Sequence, residues 1–154
     1  HIRSRRQRQM CIRDSTWFVG SNRHIPMADG SVDLLFDMFG FPDYSSFRRI
    51  LTPQGRLVRV TPGDRHLIQL REIIYPDVKP QSERAPYPET FTVISEKHIT
   101  YVMSLGTEDL KNLLLMTPHM FRSTPERRQQ ALDHDPLTLT VEVIFEELET
   151  TTVY

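Results

Sequence analysis

The sequence predicts an α/β fold whose sheet opens with parallel strands and closes with an antiparallel one. Three observations lead there. Residues 32–39 form a mostly apolar run, the pattern of a strand covered on both faces in a parallel sheet. Strand-like and helix-like stretches alternate from residue 32 to residue 74, a rhythm that implies right-handed crossovers. Leu137, Leu139, Val141, Val143 and Phe145 alternate with Thr138, Thr140 and Glu142. Such alternation leaves one face wet and suits an antiparallel strand near a sheet edge.

The elements follow in order. Trp17-Phe18-Val19-Gly20 reads as a short strand running into the polar loop Ser21-Asn22-Arg23-His24. Ala28-Asp29-Gly30-Ser31 has turn composition. Asp43 can cap a helix whose Phe47, Ile50 and Leu51 share one face. Thr52-Pro53-Gln54-Gly55 ends that helix, and residues 56–60 form the next strand. Thr61-Pro62-Gly63-Asp64 leads into a helix with Leu67, Leu70 and Ile74 on one side. Residues 76–90 hold Pro76, Pro80, Pro86 and Pro88 and must be a loop or lid. Residues 98–105 alternate Ile99, Tyr101, Met103 and Leu105 inward. Residues 107–116 form a helix with Leu110, Leu113 and Leu114 on one face and Glu108 and Asp109 in its first turn. The acidic end, with Glu146, Glu147 and Glu149, reads as a solvated tail.

Composition sets the outer bounds. A chain of 154 residues is about one domain long. Its net charge of −1 recommends neither nucleic acid nor membrane, but residues 1–15 carry five arginines against Asp14 alone. Cys11 is the single cysteine, which excludes an internal disulfide and a cysteine-cluster zinc site within these residues. No apolar run reaches the length of a membrane span, and no secretory signal is visible, so a cytoplasmic location is expected. Residues 1–15 are set apart as a non-native or disordered segment, because QMCIRDS resembles a translated sequencing adapter. The other reading of that segment is an RNA-binding arm.

Four stretches carry a family resemblance. Arg49-Ile50-Leu51-Thr52-Pro53-Gln54-Gly55-Arg56-Leu57 resembles the R-x-L-x-P-G-G-x-L segment of class I methyltransferases, with Gln54 in place of the first glycine. Ile25-Pro26-Met27-Ala28-Asp29-Gly30-Ser31-Val32-Asp33 resembles the stretch before their strand four. Residues 60–71, from Val60-Thr61-Pro62-Gly63 through His66-Leu67 to Arg71, look like the T-P-G-x-x-H-L-x-E-L-K signature of the large-subunit ribosomal RNA guanine-N1 methyltransferases. Leu115-Met116-Thr117-Pro118-His119-Met120-Phe121-Arg122 is similar to that family's M-T-P-x-x-W/F-R segment. Gln69 stands where the family usually has Glu, and Phe121 where it often has Trp.

The resemblance implies a Rossmann-like sheet in which residues 16–154 supply strands three to seven and the last strand is antiparallel. Strands one and two, the G-x-G-x-G turn that approaches the cofactor, and a four-cysteine zinc finger are expected to lie outside this sequence. It implies a bacterial, cytoplasmic enzyme that uses S-adenosylmethionine to methylate N1 of a guanine in 23S rRNA, with zinc only in the finger. The chain alone is expected to be inactive. With strand order three-two-one-four-five-seven-six, strand four is expected to present a bare apolar edge prone to self-association.

The same resemblance distributes roles. Ser21 and Asn22 lie where the adenine is held, and Asp37, Met38 and Phe39 end strand four near the methyl group. Asp37 is either a general base for guanine N1 or a polar strand end. Phe39 and Phe41 either stack on a flipped base or belong to the core. Thr61, Pro62, His66, Thr117, Pro118 and Arg122 line the guanine pocket. His66 is also readable as a structural histidine, and Arg122 and Arg71 as either phosphate ligands or solvated arginines. Two other functions stay open: a small-molecule class I methyltransferase, and a non-catalytic module that recruits RNA through the basic segment.

Overall fold

The structure is a computed structural model that describes Ser15, residues 17–78 and residues 85–151. The basic segment before Ser15 and the middle of the proline-rich loop, 79–84, lie outside the described residues. Four strands form one sheet: β1 (Val32–Met38), β2 (Leu51–Pro62), β3 (Phe91–Leu105) and β4 (Leu137–Thr150). Their spatial order is β1-β2-β4-β3. β1 runs parallel to β2, while β4 runs antiparallel to both of its neighbours. This is the expected order four-five-seven-six with the last strand reversed, so the Rossmann-like class predicted from the sequence is the class observed.

Two apolar clusters hold the layers together. Helix α1 (Tyr44–Ile50) begins where Asp43 Oδ1 accepts the Ser46 N–H at 2.9 Å, as the sequence predicts. Its Phe47 packs with Leu51, Leu57, Phe91 and Leu148. Helix α2 (Ile68–Ile74) places Leu70 and Ile74 with Leu67, Leu139 and Leu110 in the second cluster. Helix α3 (Thr107–Met116) has the predicted limits and buries Leu110 and Leu114. Two short helices follow, α4 (His119–Arg122) and α5 (Pro125–Leu132). Neither is among the elements expected from the sequence. Thr124 caps α5 and Pro125 occupies its first turn, a start signal that was available.

β2 ends against the middle of β4, and the chain beyond it takes over the vacated edge. The Gly63 N–H donates to the Glu142 carbonyl at 2.9 Å, and the Leu67 N–H to the Thr140 carbonyl at 2.7 Å. Gln69 completes the row, accepting the Thr140 N–H and donating to Thr140 Oγ1, both at 2.8 Å. Main-chain groups that would otherwise face an apolar neighbourhood are thereby satisfied. The departure from Glu at residue 69 therefore has a structural partner.

Several expectations need correction. Residues 17–20 form no strand; their side chains are exposed, and an apolar run becomes a strand only where a neighbouring strand pairs with it. β1 is covered on one face only, with Leu34, Phe36 and Met38 at 50%, 59% and 61% exposure. Residues 52–55 do not separate helix from strand, because the extended conformation begins at Leu51 itself. Tyr101 is exposed rather than inward, since β3 is the outer strand of the sheet. β4 is antiparallel and lies one strand in from the edge, near it as expected. Its acids are not a tail: Glu146 is 3% exposed, and Glu149 bonds Arg56 at 2.6 Å.

Candidate active site at the carboxyl ends of the parallel strands

Ligands of open α/β sheets bind beyond the carboxyl ends of the strands, and the candidate residues gather there in two groups. The first lies beside β1. Ser21, Asn22 and Asp37 line a shallow cavity of about 200 Å³ with apolar walls from Phe18, Ile25 and Leu35. Local contacts explain its shape. Ser21 Oγ accepts the Arg23 N–H at 3.3 Å and starts a 3-10 turn, Asn22–His24. Asn22 Nδ2 donates to the Phe41 carbonyl at 2.7 Å, tying this segment to the loop after β1. The Arg49 guanidinium donates to the Ile25 and Met27 carbonyls at 2.7 and 2.8 Å and pairs with Asp29 at 2.6 Å. The arginine of the R-x-L motif therefore clasps the approach to β1 onto α1.

Asp37 anchors a row of charge across the sheet. It stands opposite Arg59, which stands opposite Glu146, itself opposite Glu96. Arg59 Nε donates to Asp37 Oδ2 at 3.0 Å, and its Nη1 donates to the Tyr44 hydroxyl at 2.6 Å. The guanidinium carbon lies 5.7 and 5.9 Å from the ring centres of Tyr44 and Tyr87. Tyr87 donates to Glu146 Oε2 at 2.8 Å, docking one end of the proline-rich loop on the sheet. Burial, then Glu146, pushes the Tyr87 hydroxyl well above its ordinary pKa. A Cβ at Gly40 would overlap Asp37 Oδ1, so a larger residue there would displace the carboxylate.

The second group surrounds His66. Among the described residues, Phe39 and Leu67 are the non-glycine residues with positive φ, at 53° and 52°. Phe39 has its ring 5.6 Å from that of His66, and Leu67 follows His66 in the chain. Strain of this kind persists only where the surroundings impose it. His66 Nδ1 accepts the Glu142 N–H at 3.3 Å, while Glu142 Oε2 accepts the Arg65 N–H at 2.6 Å. A Cβ on Gly63 would sit 2.5 Å from Glu142 Cγ, so glycine is needed for Glu142 to approach. Burial holds the His66 pKa below its ordinary value; Glu142 opposes the shift and Arg71 adds to it. His119, which the sequence reading left without a role, bonds the Tyr75 hydroxyl through Nδ1 at 2.7 Å. Burial and then Arg71, with His66 adding to it, lower its pKa too.

The remaining predicted residues sit around these groups. Thr61 and Pro62 end β2, and Thr61 Oγ1 is buried with no hydrogen-bond partner among the described residues. Thr117 caps α3 and Pro118 opens α4, which ends at the exposed Arg122. Met38, Phe39 and Phe41 are exposed, so the aromatic pair does not belong to the core. Arg71 is buried and donates to the Asp64 carbonyl at 2.9 Å, so it is not a solvated arginine. The Arg59–Tyr44–Tyr87 group was not anticipated, because its partners come from a strand, a helix and a loop with no common spacing.

Comparison with solved structures defines the class first. A structure provisionally assigned as a type II methyltransferase, from Anaeromyxobacter dehalogenans, superposes with a TM-score of 0.52 at 18% identity, covering 94% of this chain and 76% of that one. The chain thus has the Rossmann-like methyltransferase fold. Sequence relatives are more particular. Over 141 residues the chain is 28% identical to Bacillus subtilis (strain 168) YxjB, provisionally named a 23S rRNA (guanine-N1)-methyltransferase. That match covers 86% of this chain and 49% of YxjB, so the chain spans about half the length of this relative. A Micromonospora griseorubida protein given the same provisional name is 41% identical over 46 residues, 30% of this chain and 16% of that protein. No family model matches the chain.

Proposed function

We propose that this chain carries the acceptor side of a methyltransferase that uses S-adenosylmethionine to modify N1 of a guanine in 23S rRNA, a cytoplasmic reaction. The observation that carries the reading is the similarity to YxjB, which spans most of the chain. The ring contact of His66 with Phe39 beyond the parallel strands agrees with it. When bound, the cofactor supplies an electrophilic methyl group on a sulfonium. The cavity beside β1 suits one end of such a molecule: its apolar walls match a flat heterocycle, and Ser21 and Asn22 are part of its lining. At about 200 Å³ it falls short of the roughly 300–1,000 Å³ that encloses a whole ligand.

Guanine N1 carries a proton that must leave before its electron pair can form the new N–C bond. Asp37 is the proposed acceptor of that proton, with Oδ2 held by Arg59 and Oδ1 beneath Gly40. Phe39 and Phe41 offer exposed rings to the base, with Pro62, Thr117 and Pro118 lining its approach. Arg122 meets the RNA backbone. The test is twofold. Calorimetry of the chain with S-adenosylmethionine is expected to show no tight binding. A chimaera joining the chain to the remaining half of YxjB is expected to form 1-methylguanine in unmodified 23S rRNA, detected by mass spectrometry of digested nucleosides. Asp37→Asn is expected to slow it by about a hundredfold or more. A chimaera that binds cofactor but leaves guanine N1 unmodified overturns the reading.

The same proposal bears on assembly. Among the described residues β1 pairs with β2 alone, leaving a seven-residue edge beside exposed Leu34, Phe36 and Met38. Unpaired edges with apolar neighbours recruit other chains. The isolated chain is expected to self-associate at micromolar concentration, and Phe36→Lys to reduce this in sedimentation velocity. A monomeric unaltered chain at that concentration refutes it.

A further inference from the structure

We propose that His66 reads the O6 atom of the acceptor guanine, through an imidazole held with its proton on Nε2 and free to donate there. The inference rests on the acceptor reading above and adds the residue that tells guanine from adenine.

The tautomer follows from one contact. The Glu142 main-chain N–H points at His66 Nδ1 from 3.3 Å, and an N–H can donate only to a ring nitrogen without a proton. A neutral ring then carries its proton on Nε2. Burial, aided by the nearby Arg71 charge, favours the neutral ring against the opposing pull of Glu142. Nε2 has no hydrogen-bond partner among the described residues. Glu142 is itself fixed, by the Gly63 N–H on its carbonyl and by the Arg65 N–H on Oε2. On either side of the ring the backbone is strained, at Phe39 in space and Leu67 in sequence. The imidazole is therefore an oriented donor beside a half-exposed aromatic ring, just past the carboxyl end of β2.

Guanine presents an acceptor at position 6, whereas adenine presents an amino donor there. A fixed N–H facing that position attracts the first base and repels the second. It also serves the reaction. As the N1 proton passes to Asp37, negative charge spreads onto O6, where a positioned donor stabilises it. N1 then bonds the methyl carbon while the carbon–sulfur bond breaks and its electron pair stays on sulfur, leaving a neutral thioether.

The test uses three short RNA hairpins that differ in one loop base: guanine, hypoxanthine, which keeps O6, or 2-aminopurine, which lacks it. In titrations with the chain, the first two are expected to bind within about twofold of each other and the third about tenfold more weakly. His66→Ala is expected to erase the difference, and His66→Gln, which keeps a side-chain N–H, to restore part of it. Long-range ¹⁵N correlation of the unaltered chain is expected to show His66 neutral and protonated on Nε2 at pH 7. Equal binding of guanine and 2-aminopurine, discrimination that survives His66→Ala, or a proton on Nδ1 overturns the assignment while leaving the acceptor reading intact. Failure of every hairpin to bind overturns the acceptor reading, and this assignment with it. Should His66→Ala not fold, His66→Gln and the ring spectrum decide.

Discussion

Replacing Arg59 with alanine is expected to cost about 3–5 kcal/mol of folding stability, the range for removing one partner of a buried ion pair. The guanidinium and the Asp37 carboxylate have side chains only 13% and 6% exposed, so water cannot take over the missing partner. The loss is not confined to Asp37. Glu146 lies on the other side of Arg59 in the same row and is 3% exposed, so two carboxylates would face one another across an emptied site. Tyr44 would lose its 2.6 Å donor, and both tyrosine rings would lose the cation beside them. Urea unfolding followed by circular dichroism measures the change, provided the slope of the transition is preserved. The Arg59→Ala, Asp37→Asn double variant is expected to recover part of the loss, because it removes the carboxylate the arginine had neutralised. A loss below about 1 kcal/mol, the scale of a solvated surface pair, would show that the row is not buried.

That row also shows where sequence reading stops. Its strands were legible from periodicity, because hydrophobic burial acts on each segment separately. Helix α3 came out with its limits intact for the same reason: Leu110, Leu113 and Leu114 mark one face of a single turn-by-turn repeat. The identity of Arg59's partners depended on register between strands, a relation with no local trace. Glu146 looked like part of an acidic tail because its hydrogen-bond donor, Tyr87, comes from a loop. Residues 17–20 failed in the opposite direction, since a local preference for strand is not enough without a neighbour to pair with.

The candidate site divides along the same line. Thr61, Pro62 and His66 stand out in the sequence because they share one motif, while Ser21, Asn22 and Asp37 line one cavity without Met38 and Phe39. His119 stood inside a recognised segment yet received no role, since only the fold brings it to Tyr75 and near His66. The strain at Phe39 and Leu67 was beyond any sequence signal, because both are ordinary apolar residues by composition and only their φ angles set them apart.

The link between packing and site can be tested through Leu70, which is fully buried in α2 among Leu67, Ile74, Leu110 and Leu139. Leu70→Ala is expected to cost about 2–5 kcal/mol, combining lost transfer energy with a cavity that a close-packed core only partly fills. Leu70→Met, which keeps the volume, is expected to cost less than about 1.5 kcal/mol. Leu115→Ala, on the exposed face of α3, is expected to stay within about 0.5 kcal/mol of the unaltered chain. The same helix aligns Gln69 with Thr140 and carries His66 just before its first turn. Loosening it is therefore expected to disturb the site before the chain unfolds. In ¹⁵N spectra of Leu70→Ala at concentrations where it remains folded, the His66 ring nitrogens are expected to move toward the averaged values of two exchanging tautomers. The Leu115→Ala ring is expected to match the unaltered chain. If Leu70→Ala costs no more than Leu115→Ala, or leaves the His66 signals unmoved, then α2 does not hold the imidazole in place.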